Sequence, residues 1–286
     1  MDSADILPIA SRLLPYVPPR WAYWLCERCG ILAPLTPAWP AILRNLRHVL
    51  PDAPEATRRR YAAMIVSNLL KNYYDLLRSH ALSAAELAAT IDVQGLSNLQ
   101  GALAKGQGVI VAMPHLGNFS LIAEPVANLL EYPMVVIVEQ MRNQKVHDLV
   151  NRLRERGTVE MIEVGPSIVR QILRALRKGA VVVLLTERTV VEATVEVQFC
   201  DAPARVPAGP ATLALRTGAP LLTAYTYRQP DNRSTVVIDP PLLLEPSRDI
   251  HSDVPRVMQA IMAILGAYIR RRPGQWLLTE PVWATP

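Results

Sequence analysis

The chain is short of the residues that several large enzyme classes depend on. Its 286 residues include three cysteines and two phenylalanines. Three cysteines make no disulfide framework, and Cys26-Glu27-Arg28-Cys29 has no second CxxC or His pair to complete a metal or redox centre. Two small apolar residues on one helical face account for it. The sequence also lacks GxGxxG, a Walker A loop and a GxSxG elbow, which excludes dinucleotide binding, P-loop chemistry and the hydrolase serine. Ser120 lies in Asn-Phe-Ser-Leu-Ile, without the small neighbours that a strained nucleophile turn needs. No run approaches the ~20 uninterrupted apolar residues that cross a bilayer, because Arg12, Arg20, Arg28 and several prolines punctuate the N-terminal region. The opening Met1-Asp2-Ser3-Ala4-Asp5 is acidic where the first part of a signal peptide is basic, and cytoplasmic residence is the expectation.

What is present is apolar and basic. Half of the residues are hydrophobic, the mean hydropathy is +0.16 and the formal net charge is +5. That hydropathy is high for a freely soluble enzyme and implies apolar surface to be covered by lipid or a partner. A positive balance suits an anionic surface or substrate. Among the thirty basic residues only Lys71, Lys105, Lys145 and Lys178 are lysines. Arginine's fork suits phosphate and carboxylate, and a GC-rich genome produces the same bias. Helices are expected over Asp5 to Leu14, Arg20 to Ala33 and Trp39 to Val49, each break fixed by proline. Trp21-Ala22-Tyr23-Trp24-Leu25 between Arg20 and Arg28 has the composition of an interfacial helix, and packing against the main domain explains it equally. A long amphipathic helix over Ala53 to His80 carries Arg58-Arg59-Arg60 near its start, read as a solvated face in preference to a phosphate site. Residues 1–90 thus form an N-terminal helical, membrane-interface segment, and 91–286 a single α/β domain.

From Ile91 onward strands and helices alternate, which predicts a mixed, mostly parallel central sheet flanked by helices. The strand Val109 to Met113 is an unbroken apolar run between Gly108 and Pro114, as suits an interior strand covered on both faces. It delivers His115, and Asn118 is expected to cap a helix over Phe119 to Leu130. A histidine between a strand end and a helix start sits where open α/β sheets place ligands. His48, His80, His147 and His251 have no such setting and read as ordinary core or loop residues. The apolar strand Ala180 to Leu185 ends in Thr186-Glu187-Arg188. Parallel neighbours end on one edge, so Glu187 and His115 are expected to share a cleft. Ala204 to Pro210 is expected to be a tight loop presenting Arg205 beside free N–H groups of the next helix.

Pro114-His115-Leu116-Gly117-Asn118-Phe119 resembles the HxGNW block of the lipid A biosynthesis acyltransferase family, which includes phosphatidylinositol mannoside acyltransferases. Arg142-Asn143, Leu184-Leu185-Thr186-Glu187-Arg188, Pro203 to Pro210, Arg272-Pro273-Gly274-Gln275-Trp276 and the earlier Asn45 to Pro51 agree in order, so the resemblance covers nearly the whole chain. It implies a glycerolipid acyltransferase-like fold and O-acyl transfer from acyl-CoA or acyl carrier protein, as co-substrate, to a hydroxyl of a membrane glycolipid or lysophospholipid. His115 would act as general base, with Asn118, Ser120, Arg142, Arg188 and Arg205 as substrate-binding residues. No metal, other cofactor or nucleic acid is implied, and the place of action would be peripheral, at the cytoplasmic face of the inner membrane.

One position departs from the family pattern. An acid stands five residues after the histidine in the family, and this chain has Ser120. A serine cannot stabilise an imidazolium as a carboxylate does. Glu187 is the first candidate for the missing carboxylate and Glu124 the second. Two other readings stay open: a degenerate homologue that binds lipid or carrier protein without transfer, and a hydrolase or thioesterase in which His115 and Glu187 activate water.

Overall fold

A computed structural model describes residues 3–141, 143–189, 193–247 and 249–283. Arg142 lies outside the described residues. Prolines set the pattern of the N-terminal helices α1 (Ser3–Leu13), α2 (Pro19–Cys29) and α3 (Trp39–Val49), with a 3-10 segment, Gly30–Leu35, after α2. Helix α4 (Glu55–Ser79) runs for 25 residues and buries one stripe including Ile65, Asn72 and Leu76. The short α5 (Ala84–Ala88) starts at a capping box made by Ser83 and Glu86.

Alternation then follows as expected: β1 (Ile91–Gln94), α6 (Leu96–Leu103), β2 (Val109–Met113), α7 (Ala123–Leu130), β3 (Met134–Val138), α8 (Gln144–Arg154), β4 (Val159–Glu163), α9 (Ile168–Arg177) and β5 (Val181–Leu185). A hairpin of β6 (Thr194–Phe199) and β7 (Ala202–Pro207) leads to α10 (Gly209–Thr217), β8 (Leu221–Arg228), β9 (Ser234–Ile238) and α11 (Ile250–Arg271). The seven-stranded sheet has the order β1-β9-β8-β2-β5-β3-β4. Only its β8–β9 pair is antiparallel. Strand β2 is buried throughout, with Ile110 and Ala112 in the core under α10 and α11 and Val109, Val111 and Met113 in the core under α6 and α7. Burial on both faces is why its sequence shows no alternation.

Two local expectations are corrected. The helix after β2 begins at Ala123, not Phe119, and Ile122 occupies its N-cap position. Pro125 then falls in the first turn, whereas a start at Phe119 would put it in the interior, where it lacks the N–H and clashes with the preceding turn. Ala204 to Pro207 is strand, not loop. Cys200 and Asp201 both take positive φ, 50° and 64°, which makes the two-residue turn that folds β7 back on β6.

Candidate active site

Strands β2 and β5 are parallel and in register up to Met113 opposite Leu185. Each chain continues two residues further, so His115 and Glu187 emerge side by side at the carboxyl edge of the sheet. Glu187 is fully buried, and its Oε1 accepts three hydrogen bonds: from the His115 backbone N at 2.6 Å, from Nδ1 of the same ring at 3.0 Å, and from the Trp276 indole N at 3.1 Å. Its Oε2 has no hydrogen-bond partner among the described residues.

This arrangement fixes the tautomer of the imidazole. Burial alone would raise the Glu187 pKa, and the charge of His115 with its ring and backbone hydrogen bonds outweighs burial, leaving the carboxyl below its ordinary value. An ionised carboxylate only accepts, so Nδ1 carries a hydrogen, and in the neutral ring Nε2 is the nitrogen left with its lone pair. The ring is 19% exposed and meets Phe119 edge-on, at 5.1 Å between centroids. Phe119 in turn lines a narrow apolar cleft of about 50 Å³ with Val111, Met113, Val183 and Leu185. The His115 ring does not itself line this cleft and meets it through Phe119.

The turn that carries His115 is held from behind. Leu277 N donates to His115 O at 2.8 Å, Gly117 N to Gln275 O at 2.9 Å, and Thr226 Oγ1 to Leu116 O at 2.5 Å. Gly117 has φ +62°, and a Cβ there would lie 2.6 Å from Thr226 O, so only glycine passes. Helix α4 reaches the same turn, Asn72 Nδ2 donating to Gly117 O at 2.7 Å. Asp75 accepts from Asn118 at 3.0 Å, from Arg228 at 2.7 Å and from the Tyr23 hydroxyl at 2.7 Å. Burial and Asp75 both push the Tyr23 hydroxyl up, which keeps it a donor.

The other sequence-selected residues stand apart from the ring. Asn118 faces Asp75 instead of capping a helix. Ser120 Oγ accepts from Arg154 Nη2 at 3.0 Å and makes no bond to His115. Glu124 pairs with Arg156 at 2.8 Å. Arg188 bridges Glu139 at 2.6 Å and Glu280 at 2.5 Å, tying the end of β5 to the segment after β3 and to the C-terminal segment. Arg205 is exposed on β7 opposite Glu196, and its carbonyl accepts from the Thr189 hydroxyl. His48 stacks on Trp283, His80 bonds its own helix end, and His147 pairs with Glu163 at 2.7 Å. Among the described residues, no three His, Cys, Asp or Glu side chains converge as a metal site requires.

Sequence reasoning missed Trp276 as a Glu187 partner and the Asn72–Asp75–Arg228 support. The signal for Trp276 was that a buried indole N–H needs an acceptor. Nothing local marks the other three, since Asp75 and Arg228 are separated by 153 residues.

Residues 6–285 match the family model described as bacterial lipid A biosynthesis acyltransferase. The chain is 27% identical over 246 residues to the phosphatidylinositol mannoside acyltransferase of Mycobacterium tuberculosis (strain ATCC 25618 / H37Rv), covering 84% of this chain and 75% of that protein. It is 26% identical over 245 residues to the protein of the same name from Mycolicibacterium smegmatis, covering 84% and 78%.

Proposed function

The chain belongs to the bacterial lipid A biosynthesis acyltransferase family, and from that premise we propose that it moves a fatty acyl chain from acyl-CoA or acyl carrier protein to a hydroxyl of a membrane glycolipid or lysophospholipid. His115 Nε2 takes the proton of the acceptor hydroxyl as that oxygen bonds the thioester carbonyl carbon. The tetrahedral oxyanion collapses, the C–S bond breaks, and the departing sulfur receives the proton from the imidazolium. The products are an ester and a free thiol. Glu187 stabilises the imidazolium between the two proton transfers.

The observation that carries this reading is the buried Glu187 carboxylate on His115 Nδ1, which leaves Nε2 of the neutral ring as a base, the ring packing on Phe119 at one wall of the apolar cleft. It also offers an answer to the departure at Ser120, because a carboxylate from the neighbouring strand supplies the imidazole with an acidic partner. That favours transfer over a degenerate, binding-only role. Action at a membrane surface, which we place at the cytoplasmic face of the inner membrane, is supported as to surface contact by exposed Trp21, Trp24, Leu25, Ile31, Leu32 and Leu35 in the N-terminal segment. Among the described residues no helix is long and apolar enough to cross a membrane.

The test is incubation with labelled acyl-CoA or acyl carrier protein and a total lipid extract. Label is expected in a lipid, in proportion to added acceptor. Release of free fatty acid independent of acceptor would replace this reading with thioester hydrolysis.

A further inference from the structure

The sequence contains two arginine triplets, Arg58 to Arg60 and Arg270 to Arg272. Most of their charge is already engaged or solvated. Arg58 and Arg59 both reach Glu55, and Arg270 pairs with Asp201 at 2.6 Å. Arg60 and Arg272 are exposed, neither guanidinium makes an ion pair or hydrogen bond among the described residues, and they lie over the Tyr61 and Tyr227 rings, at 5.6 and 4.6 Å.

The fold brings these two arginines, 212 positions apart in sequence, to one cleft of ≈ 550 Å³. Its walls are α4, residues 27–31, the turn between β8 and β9, and residues 272–275. That volume falls in the range of small-ligand sites. The lining holds four cations, Arg60, Lys71, Arg228 and Arg272, against one carboxylate, Glu27. Glu27 is engaged by Lys71 at 2.7 Å. Arg228 is 6% exposed and is already paired through Nη2 with Asp75 at 2.7 Å, while its Nε has no hydrogen-bond partner among the described residues. With Lys71 on Glu27 and Arg228 on Asp75, the unpaired charge is that of Arg60 and Arg272, and a concave site with such an excess concentrates anions. The cleft shares no lining residue with the apolar cleft beside His115.

The lip says where the anion comes from. Ile31 lines the cleft and is 75% exposed, and its neighbours Leu32 and Leu35 are exposed too. Exposed arginines and bare aliphatic side chains around one cleft match the two ends of a lipid. We propose that this cleft receives the phosphate-bearing headgroup of an anionic membrane lipid, Arg60 and Arg272 meeting the phosphate while Ile31 and its neighbours enter the interface. Arginine's planar fork suits a phosphate better than lysine's point charge. The site serves to hold the protein on the membrane, and it stands or falls independently of acyl transfer.

The experiment is flotation with phosphatidylcholine vesicles, with and without phosphatidylglycerol, using the full chain. Three proteins are compared: wild type, R60Q/R272Q, and R170Q/R174Q, whose arginines are exposed on α9, line neither cleft and give the same change in net charge. Wild type should prefer the anionic vesicles. R60Q/R272Q should bind them roughly 30-fold more weakly, R170Q/R174Q no more than a few-fold, and binding to phosphatidylcholine alone should be equal in all three. Equal losses in the two double variants would reduce the effect to net charge and overturn the site. Displacement of the protein from anionic vesicles by soluble CoA would assign the cleft to donor phosphates and overturn the lipid assignment. Because the readout is membrane binding, a protein that fails to transfer acyl groups still tests it.

Discussion

Replacing Glu187 by glutamine alters one atom and one charge at the most tightly coupled point of the site. Oε1 meets three N–H donors, from the His115 backbone, its ring and Trp276. If the amide keeps its oxygen there, the Nδ1–H tautomer survives, the stabilising charge is lost, and the new NH₂ occupies the buried Oε2 position that has no acceptor. An unsatisfied buried donor costs about 1–3 kcal/mol of stability. If the amide turns over, NH₂ confronts the backbone and indole donors and drives Nδ1 into the acceptor state, which places the hydrogen on Nε2 and removes the base. Either way kcat falls, by about a thousandfold or more, or roughly 4 kcal/mol in the barrier. Thiol release from acyl-CoA, measured against acceptor concentration, separates kcat from KM, and KM should move by less than about threefold because Glu187 is too buried to touch a lipid. A Glu187→Gln enzyme that is folded and retains a third of wild-type kcat would refute the tautomer argument.

Further outcomes follow from neighbouring groups. Since the Glu187 pKa is lowered on folding, its contribution to stability is present above the unfolded carboxyl value and is lost as pH falls through the folded value. Thermal melts across the acid range should therefore decline less steeply in Glu187→Gln than in wild type. Gly117→Ala should lose at least about 2 kcal/mol in denaturant titration, because a Cβ at φ +62° meets the Thr226 backbone. Ser120→Ala removes a hydrogen bond from Arg154, not one to the imidazole, so it should cost about 1.5–3 kcal/mol of stability and leave kcat within about threefold. The thiol of Cys200 is pushed up to about 11, first by burial, and should resist maleimide near pH 8 until the protein unfolds.

The parallel half of the sheet was legible because both faces of β2 and β5 are covered, which leaves unbroken apolar runs in the sequence. The juxtaposition of His115 and Glu187 followed from the same geometry, since neighbouring parallel strands in register end at one edge. Harder to read was the start of α7, where Asn118 looked like a cap. Its side chain is drawn to Asp75 on α4, and Pro125 belongs in a first turn, which the start at Ala123 gives it. The hairpin of β6 and β7 was missed because its turn, Cys200-Asp201, carries no glycine or asparagine. Arg205 accordingly stands exposed on a strand instead of in a loop beside a helix start. Trp276 and the Asn72–Asp75–Arg228 support are tertiary facts, fixed by contacts across most of the chain. No local spacing announces them.

The central claim is that His115 removes the acceptor's proton. Single-turnover transfer of labelled acyl groups to lipid, with wild type and a folded His115→Ala variant, tests it most directly. The account predicts a loss of about a hundredfold to ten-thousandfold in the variant. Transfer by His115→Ala within tenfold of wild type would contradict it.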